Sequence, residues 1–314
     1  MEYRQLGSSG LQVSTVGLGT NNFGFRMDEP DSVKVARYAI EQGINFLDTA
    51  NSYGRNLSEE RIGIALKGMR KNVIIATKVA NPMGEGPNTS GASRHHIMAQ
   101  VEGSLKALQT DYIDLYQIHR PDGKTPIEET LRALDDLIHQ GKVRYIGCSN
   151  FSAWQVCEAI WTSRSLNLAS FVTVQPEYNM LNRSVESELL PFCDEYNVGV
   201  LPFYPLASGF LTGKYLQGEE PPEGTRLAGN SRARGNTLTP RNFEVLSHLA
   251  KFADDRGHPL VELAIAWLLA KPSVSSVIAG ATMEEQVAAN VKAADWQLTP
   301  EEMAEIDQLL QPPD

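Results

Sequence analysis

Cysteine is scarce in this 314-residue chain: Cys148, Cys157 and Cys193 are the only three, at irregular spacing. That is too few for a disulfide framework or a cysteine-rich zinc site, and it suits a reducing compartment. Basic residues are in deficit too, 28 Lys and Arg against 38 Asp and Glu, for a formal net charge of -10. Such a chain repels phosphate backbones and anionic membranes unless its cations cluster, and the sequence holds no such cluster. Nucleic acid is therefore not an expected partner. Long apolar runs are also missing. The most apolar stretch, residues 260–270, is too short to cross a bilayer and carries Glu262. The first residues lack the basic-then-apolar layout of a secretion signal, so the expectation is a cytoplasmic protein with no membrane partner.

What is present is a globular composition, 42% hydrophobic with 21% charged residues, which sets aside disorder and fibrous repeats. Short apolar runs rich in β-branched residues recur at 15–18, 44–47, 73–76, 113–118, 143–146, 171–174, 198–201 and 274–278. Between them lie segments with helical spacing of apolar residues, at 32–42, 58–66, 94–108, 127–140, 154–163, 185–196 and 284–292. Asp31 and Ser58 stand where helix N-caps are wanted, and Gly43 and Gly141 where left-handed C-terminal residues are. Eight βα units over this length predict a (β/α)8 barrel as one domain, 1–314, rather than an open doubly wound sheet. The surplus length falls in a segment before the first strand, at 208–240, and in a tail from Thr299.

In such a barrel the chemistry sits at the C-terminal ends of the strands. Reactive side chains follow the apolar runs there: Asp48 with Tyr53 after the second, Lys78 after the third, His119 after the fourth, Ser149 and Asn150 after the fifth, Gln175 after the sixth. Alone, each reads as a loop charge or a packing residue. Together, an acid, a phenol, an amine and an imidazole on adjacent strand ends make a proton donor. An ammonium lowers a phenol's pKa from about 10, a carboxylate holds the ammonium, and an imidazole orients a carbonyl oxygen. Hydride addition to a carbonyl requires such a donor, and the hydride itself must come from a cofactor.

The common nucleotide motifs do not supply it. Gly17, Gly19 and Gly24 have the wrong third spacing for a dinucleotide fingerprint. Gly123-Lys-Thr125 lacks the first glycine of a phosphate loop, where Ile118 stands, and Lys214 is followed by Tyr215 in place of Ser or Thr. His95 and His96 have no carboxylate or third histidine at metal-site spacing, so no metal is expected.

The ordered motifs Asp48-Thr-Ala-Asn-Ser-Tyr53, Thr77-Lys78, Tyr116-Gln-Ile-His119-Arg-Pro-Asp122, Gly147-Cys-Ser-Asn150, Val174-Gln-Pro-Glu-Tyr-Asn179, Leu211-Thr-Gly-Lys214 and Ile278-Ala-Gly-Ala-Thr282 resemble those of the aldo-keto reductases. The likeness runs from Tyr3 to Asn290 and is nearer to bacterial reductases and potassium-channel β-subunit-like proteins than to aldose reductases. It implies a barrel fold and a catalytic tetrad of Asp48, Tyr53, Lys78 and His119. It also implies NADP(H) across the barrel mouth. Gly19, Thr20, Asn21 and Asp48 would lie along the cofactor, Ser149, Asn150 and Gln175 on its carboxamide, and Phe203 on its ring. Tyr204, Pro205, Leu206, Ser208, Gly209, Lys214 and Arg226 would surround the pyrophosphate, and Gly280, Thr282, Gln286 and Asn290 the adenosine.

Three departures from the family pattern stand out. Phe203 replaces the usual Tyr or Trp, Tyr204 stands where a small Ser is common, and residues 280–286 hold no cation for a 2′-phosphate. NAD(H) or dual use therefore stays open beside NADP(H). Phe23, Phe25, Arg26, Met83 and Arg120 are the substrate-side expectations, for a small carbonyl or alcohol. The expected reaction is reversible reduction of aldehydes or ketones to alcohols. The alternative is a cofactor-sensing regulatory subunit with little turnover, against which His119 argues, since by resemblance channel subunits carry Asn there. A barrel hydrolase or lyase is a third, weaker alternative. Homo-oligomer formation is left open.

Overall fold

A computed structural model of the chain describes residues 1–311. An antiparallel hairpin, β1 (Tyr3–Gln5) and β2 (Gln12–Ser14), precedes eight barrel strands: β3 (Val16–Gly19), β4 (Phe46–Asp48), β5 (Ile74–Val79), β6 (Ile113–Ile118), β7 (Val143–Ser149), β8 (Phe171–Gln175), β9 (Gly199–Val200) and β10 (Val277–Gly280). These eight pair in parallel in the order β10-β3-β4-β5-β6-β7-β8-β9. The sheet curls until its outer strands meet: Ser275 N–H donates to Val200 O at 3.0 Å and Ile278 N–H to Pro202 O at 2.9 Å. All eight expected strands are there, and the fold is the expected (β/α)8 barrel. Its inner wall is apolar at the bottom, where Phe46, Ala76, Leu115, Leu201 and Ile278 pack together.

The segment before the first barrel strand, unassigned from sequence, is the hairpin that closes that bottom. Leu6 and Val13 are fully buried in the same cluster. Gly7 has φ 53° and lies so close to the strand ends that a Cβ would come within 2.1 Å of Val172 O. No other residue type fits that contact.

The helices are α1 (Glu29–Glu41), α2 (Leu57–Ala65), α3 (Arg94–Leu108), α4 (Ile127–His139), α5 (Ala153–Leu166), α6 (Leu189–Tyr196), α7 (Ser231–Thr237), α8 (Pro240–Asp254), α9 (Leu260–Leu269), α10 (Glu284–Lys292) and α11 (Pro300–Leu309). In α4 the apolar stripe Leu131, Leu134 and Leu137 is buried and the acidic face points out. Gly43 and Gly141 do follow their helices with φ of 89° and 73°. The expected N-caps are wrong. Asp28 caps α1, accepting from Asp31 N–H, so Asp31 lies inside the first turn. Asn56 precedes α2, and the Ser58 hydroxyl is buried against Thr20 and Thr49. Four helices, α7, α8, α9 and α11, were not expected. Among the described residues, no helix is long and apolar enough to cross a membrane.

Candidate active site

The expected reactive groups sit at or near the last residues of their strands, where the hydrogen-bonded ladder fixes the backbone. Asp48 ends β4, Lys78 is next to last in β5, Ser149 ends β7 and Gln175 ends β8. The register sets Gly19 beside Asp48, Lys78 beside Gln117 and Ser149 beside Gln175.

Lys78 is wholly buried, and its ammonium donates to Asp48 Oδ2 at 2.6 Å, Thr49 O at 2.8 Å and Tyr53 Oη at 3.4 Å. All three of its protons are thereby used. Burial works against this charge, but the Asp48 carboxylate and the Tyr53 phenol outweigh it and raise the Lys78 pKa above its ordinary value. Asp48 Oδ1 accepts from Gln175 Nε2 at 2.8 Å and Gln117 Nε2 at 3.4 Å, so the carboxylate is held on both oxygens.

Tyr53 departs from the expectation in one respect. Burial raises its pKa, the Lys78 ammonium pulls it back only in part, and the net shift is upward. The phenol therefore keeps its proton at neutral pH. His119 packs edge-on to Tyr53, with ring centroids 5.7 Å apart. Burial first, then the charges of Lys78 and Arg120, pull its pKa down to about 3. The imidazole is neutral, and the Asn81 amide donates to its Nδ1 at 3.0 Å, which leaves the ring proton on Nε2.

These groups open into a cleft of about 960 Å³, at the upper end of what small-molecule sites occupy. From Asp48, Tyr53 and His119 it passes Ser149, Asn150, Gln175 and Phe203 and ends at Gly280, Gln286 and Asn290. Every residue expected along the cofactor lines it. Asn150, with φ 62°, turns its amide onto His119 O at 2.9 Å and Ser149 Oγ at 3.0 Å.

Beyond Phe203 the backbone of Tyr204, Ala207, Ser208 and Gly209 is left-handed, and a Cβ on Gly209 would meet Lys214 Nζ at 2.7 Å. Bare backbone and an ammonium thus share one spot. Burial, Arg226 and Arg26 together depress the Lys214 pKa, as three cations on one wall should. Arg226 donates to Asn21 Oδ1 at 3.0 Å and Asn22 Oδ1 at 3.2 Å and stands over the Tyr204 ring. Arg26 donates to the carbonyls of Gly224 and Thr225 at 3.2 and 2.9 Å. Residues 224–226 are thereby strapped to the 21–26 loop along the cleft wall. A long slot with a crowded set of cations and close backbone fits a dinucleotide with its pyrophosphate at Lys214.

The sequence pattern of the aldo/keto reductase family matches residues 15–311. The chain is 40% identical to a probable voltage-gated potassium channel subunit beta of Arabidopsis thaliana, over 99% of this chain and 97% of that protein. An aldo-keto reductase of Bacillus subtilis is 37% identical over 99% and 94% of the two chains. An L-glyceraldehyde 3-phosphate reductase of Escherichia coli K12 is 37% identical over 98% and 92%. The chain belongs to the aldo/keto reductase family. It is an NAD(P)H-dependent oxidoreductase.

On the substrate side of this reductase the expectations divide. Arg26 and Arg120 line the cleft. Phe23 does not: it is fully buried in the core, paired with Met27, because the 20–27 loop folds back on itself. Phe25, 79% exposed, and Met83 also lie outside the cleft wall.

Three contributors went unread in the sequence. Gln117 reaches Asp48 because it alternates inward on β6, a signal present in the period-2 spacing. Asn81 fixes the histidine tautomer. Glu59 is fully buried and accepts from Thr77 Oγ1 and Asn56 Nδ2, both at 2.6 Å. It ties the loop carrying Tyr53 to the strand carrying Lys78.

Proposed function

We propose that this reductase converts aldehydes or ketones to alcohols, reversibly, with Tyr53 as the proton donor. The observation that carries the reading is the buried Lys78 ammonium, ion-paired to Asp48 and directed at the Tyr53 hydroxyl. Bound nicotinamide supplies the hydride. Tyr53 gives its proton to the carbonyl oxygen, and Lys78 stabilises the phenolate this leaves behind. Neutral His119 has an Nε2–H to orient that oxygen. Asp48 holds Lys78 and is itself held by Gln117 and Gln175. Ser149, Asn150 and Gln175 would take the carboxamide, Phe203 the ring face, and Lys214 with the 205–209 backbone the pyrophosphate.

NADP(H) is the favoured cofactor on family grounds, since the pyrophosphate at Lys214 is common to both cofactors. The 280–286 segment has no cation and Glu285 lines the cleft, which favours NAD(H) as the second choice. The three free thiols suit a cytoplasmic setting. The Tyr53→Phe variant should lose turnover by roughly a hundred- to ten-thousand-fold while NADPH and NADH titrations stay close to wild type. Wild-type turnover in that variant would remove Tyr53 from the proton-donor role.

A second reading, a cofactor-sensing subunit, rests on the plant relative. Tight cofactor binding with negligible turnover over a broad carbonyl panel would favour it.

A further inference from the structure

The cleft is a cationic island in an acidic chain. Arg26, Arg120, Lys214 and Arg226 line it, and among the described residues none is ion-paired with a carboxylate. The acids on the same wall are Glu223, Glu285 and Asp48, and Lys78 neutralises Asp48. Three of the four cations already have a use. Lys214 lies in the backbone cradle, Arg226 is bonded to Asn21 and Asn22, and Arg26 is bonded to the strap carbonyls.

Arg120 is the remainder. Its backbone is held beside the reacting groups, because His119 N–H donates to Val79 O at 2.8 Å and the Asn150 amide donates to His119 O. Pro121 stiffens the next step of the chain. The nearest acid in sequence, Asp122, is turned elsewhere. Its Oδ2 accepts from Ala92 N–H at 2.8 Å and Thr125 Oγ1 at 2.7 Å, and its Oδ1 from Lys124 N–H at 2.9 Å. Arg120 is exposed to the cleft with a guanidinium and no anion to satisfy it, and it is close enough to His119 to help depress that imidazole's pKa.

We propose that Arg120 is the anion-recognition residue of the substrate site, and that the carbonyl substrates are short aldehydes bearing a phosphate or carboxylate group. This rests on the reductase reading above. The guanidinium fork pairs with either anion, and Arg120 lines the same cleft as Tyr53 and His119, so one substrate can meet the cation and the reacting groups together. The anion takes no part in the chemistry. A C–H bond forms at the carbonyl carbon as the nicotinamide is oxidised, the oxygen takes the Tyr53 proton as the C=O π bond breaks, and the phenolate is reprotonated from solvent.

The test is the ratio of kcat/KM for anionic against neutral aldehydes, measured on the cofactor-loaded enzyme. Glyceraldehyde 3-phosphate against glyceraldehyde probes the phosphate, and succinic semialdehyde against butanal the carboxylate. At low salt at least one ratio should exceed about ten and should shrink as NaCl is added. Arg120→Gln should collapse it toward one, and Arg120→Lys should keep part of it. Equal kcat/KM for charged and neutral aldehydes, or a ratio untouched in Arg120→Gln, overturns the proposal. Calorimetric binding of glycerol 3-phosphate and 4-hydroxybutyrate to the NADPH-loaded protein, where an alcohol has no hydride acceptor, reads the same site without turnover. Binding that weakens tenfold or more in Arg120→Gln supports the anion site even if no carbonyl is reduced, in which case the reductase reading alone fails. Absence of binding for both ligands sinks the anion site.

Discussion

The two ends of the cleft are built on different principles. At the Lys78 end, Asp48, Lys78, Ser149 and Gln175 are strand residues that cannot move without breaking ladder hydrogen bonds, Lys78 has every proton committed, and Tyr53 and His119 stand on short loops beyond β4 and β6 packed against one another. At the far end the wall is loop, and a strap is held by Arg26 and Arg226 on carbonyl and amide oxygens at the surface. On the proposed function the first end needs fixed geometry for proton transfer, whereas the second would have to open for a dinucleotide to enter and leave. Chemistry and cofactor exchange would thus fall to different kinds of backbone.

Lys78→Met would break the rigid end most severely. It strands a buried Asp48 carboxylate, and denaturant unfolding should show a loss of about 3–5 kcal/mol together with loss of turnover. Glu59→Ala should cost less, roughly 1–3 kcal/mol by the same unfolding measurement, because it leaves the Thr77 hydroxyl and Asn56 amide without an acceptor. Turnover should fall with it, since Tyr53 and Lys78 lose their tie. Arg26→Ala addresses the other end. Stability should stay within about 0.5 kcal/mol while stopped-flow cofactor dissociation accelerates roughly three- to tenfold. If Arg26→Ala instead destabilises the fold and leaves dissociation unchanged, the contrast between the two ends is wrong.

The smallest effect concerns His119. With its folded pKa at about 3, the imidazole does not titrate across the working range, so kcat should show no break near pH 6.5. The unfolded chain takes up a proton between about 6.5 and 3 that the folded one refuses. His119 therefore makes stability fall as pH drops through that window, and His119→Asn should flatten the decline.

The barrel and the gathering of Asp48, Tyr53, Lys78 and His119 at its mouth were legible because both rest on local pattern. Eight β-branched runs marked the strands, and polar residues at their C-terminal ends marked the mouth. The helices that went unread failed for physical reasons. In α9, Leu260 and every residue from Glu262 to Leu269 are buried, so no polar face remained to reveal a helical period. The start of α11 did carry a signal, the Thr299 and Glu302 capping box. Phe23 and Phe25 show a different limit: two aromatics in one polar loop give no hint of which one turns inward. Tyr53 shows another, since the direction of its pKa shift depends on how burial and one ammonium balance, and spacing alone does not weigh them.

The hairpin under the barrel bears on how the protein is made. Arg4 donates to Leu269 O and Val274 O across 265 and 270 residues of chain, and Ser275 Oγ bridges Gly7 N–H and Gln5 O. The hairpin is therefore synthesised some 265 residues before one of the segments that anchors it. Until β10 is synthesised, the cluster of Leu6, Val13 and Phe46 lacks Ile278 and the ring of strands stays unclosed, so the nascent chain carries an incompletely covered apolar floor through most of its synthesis.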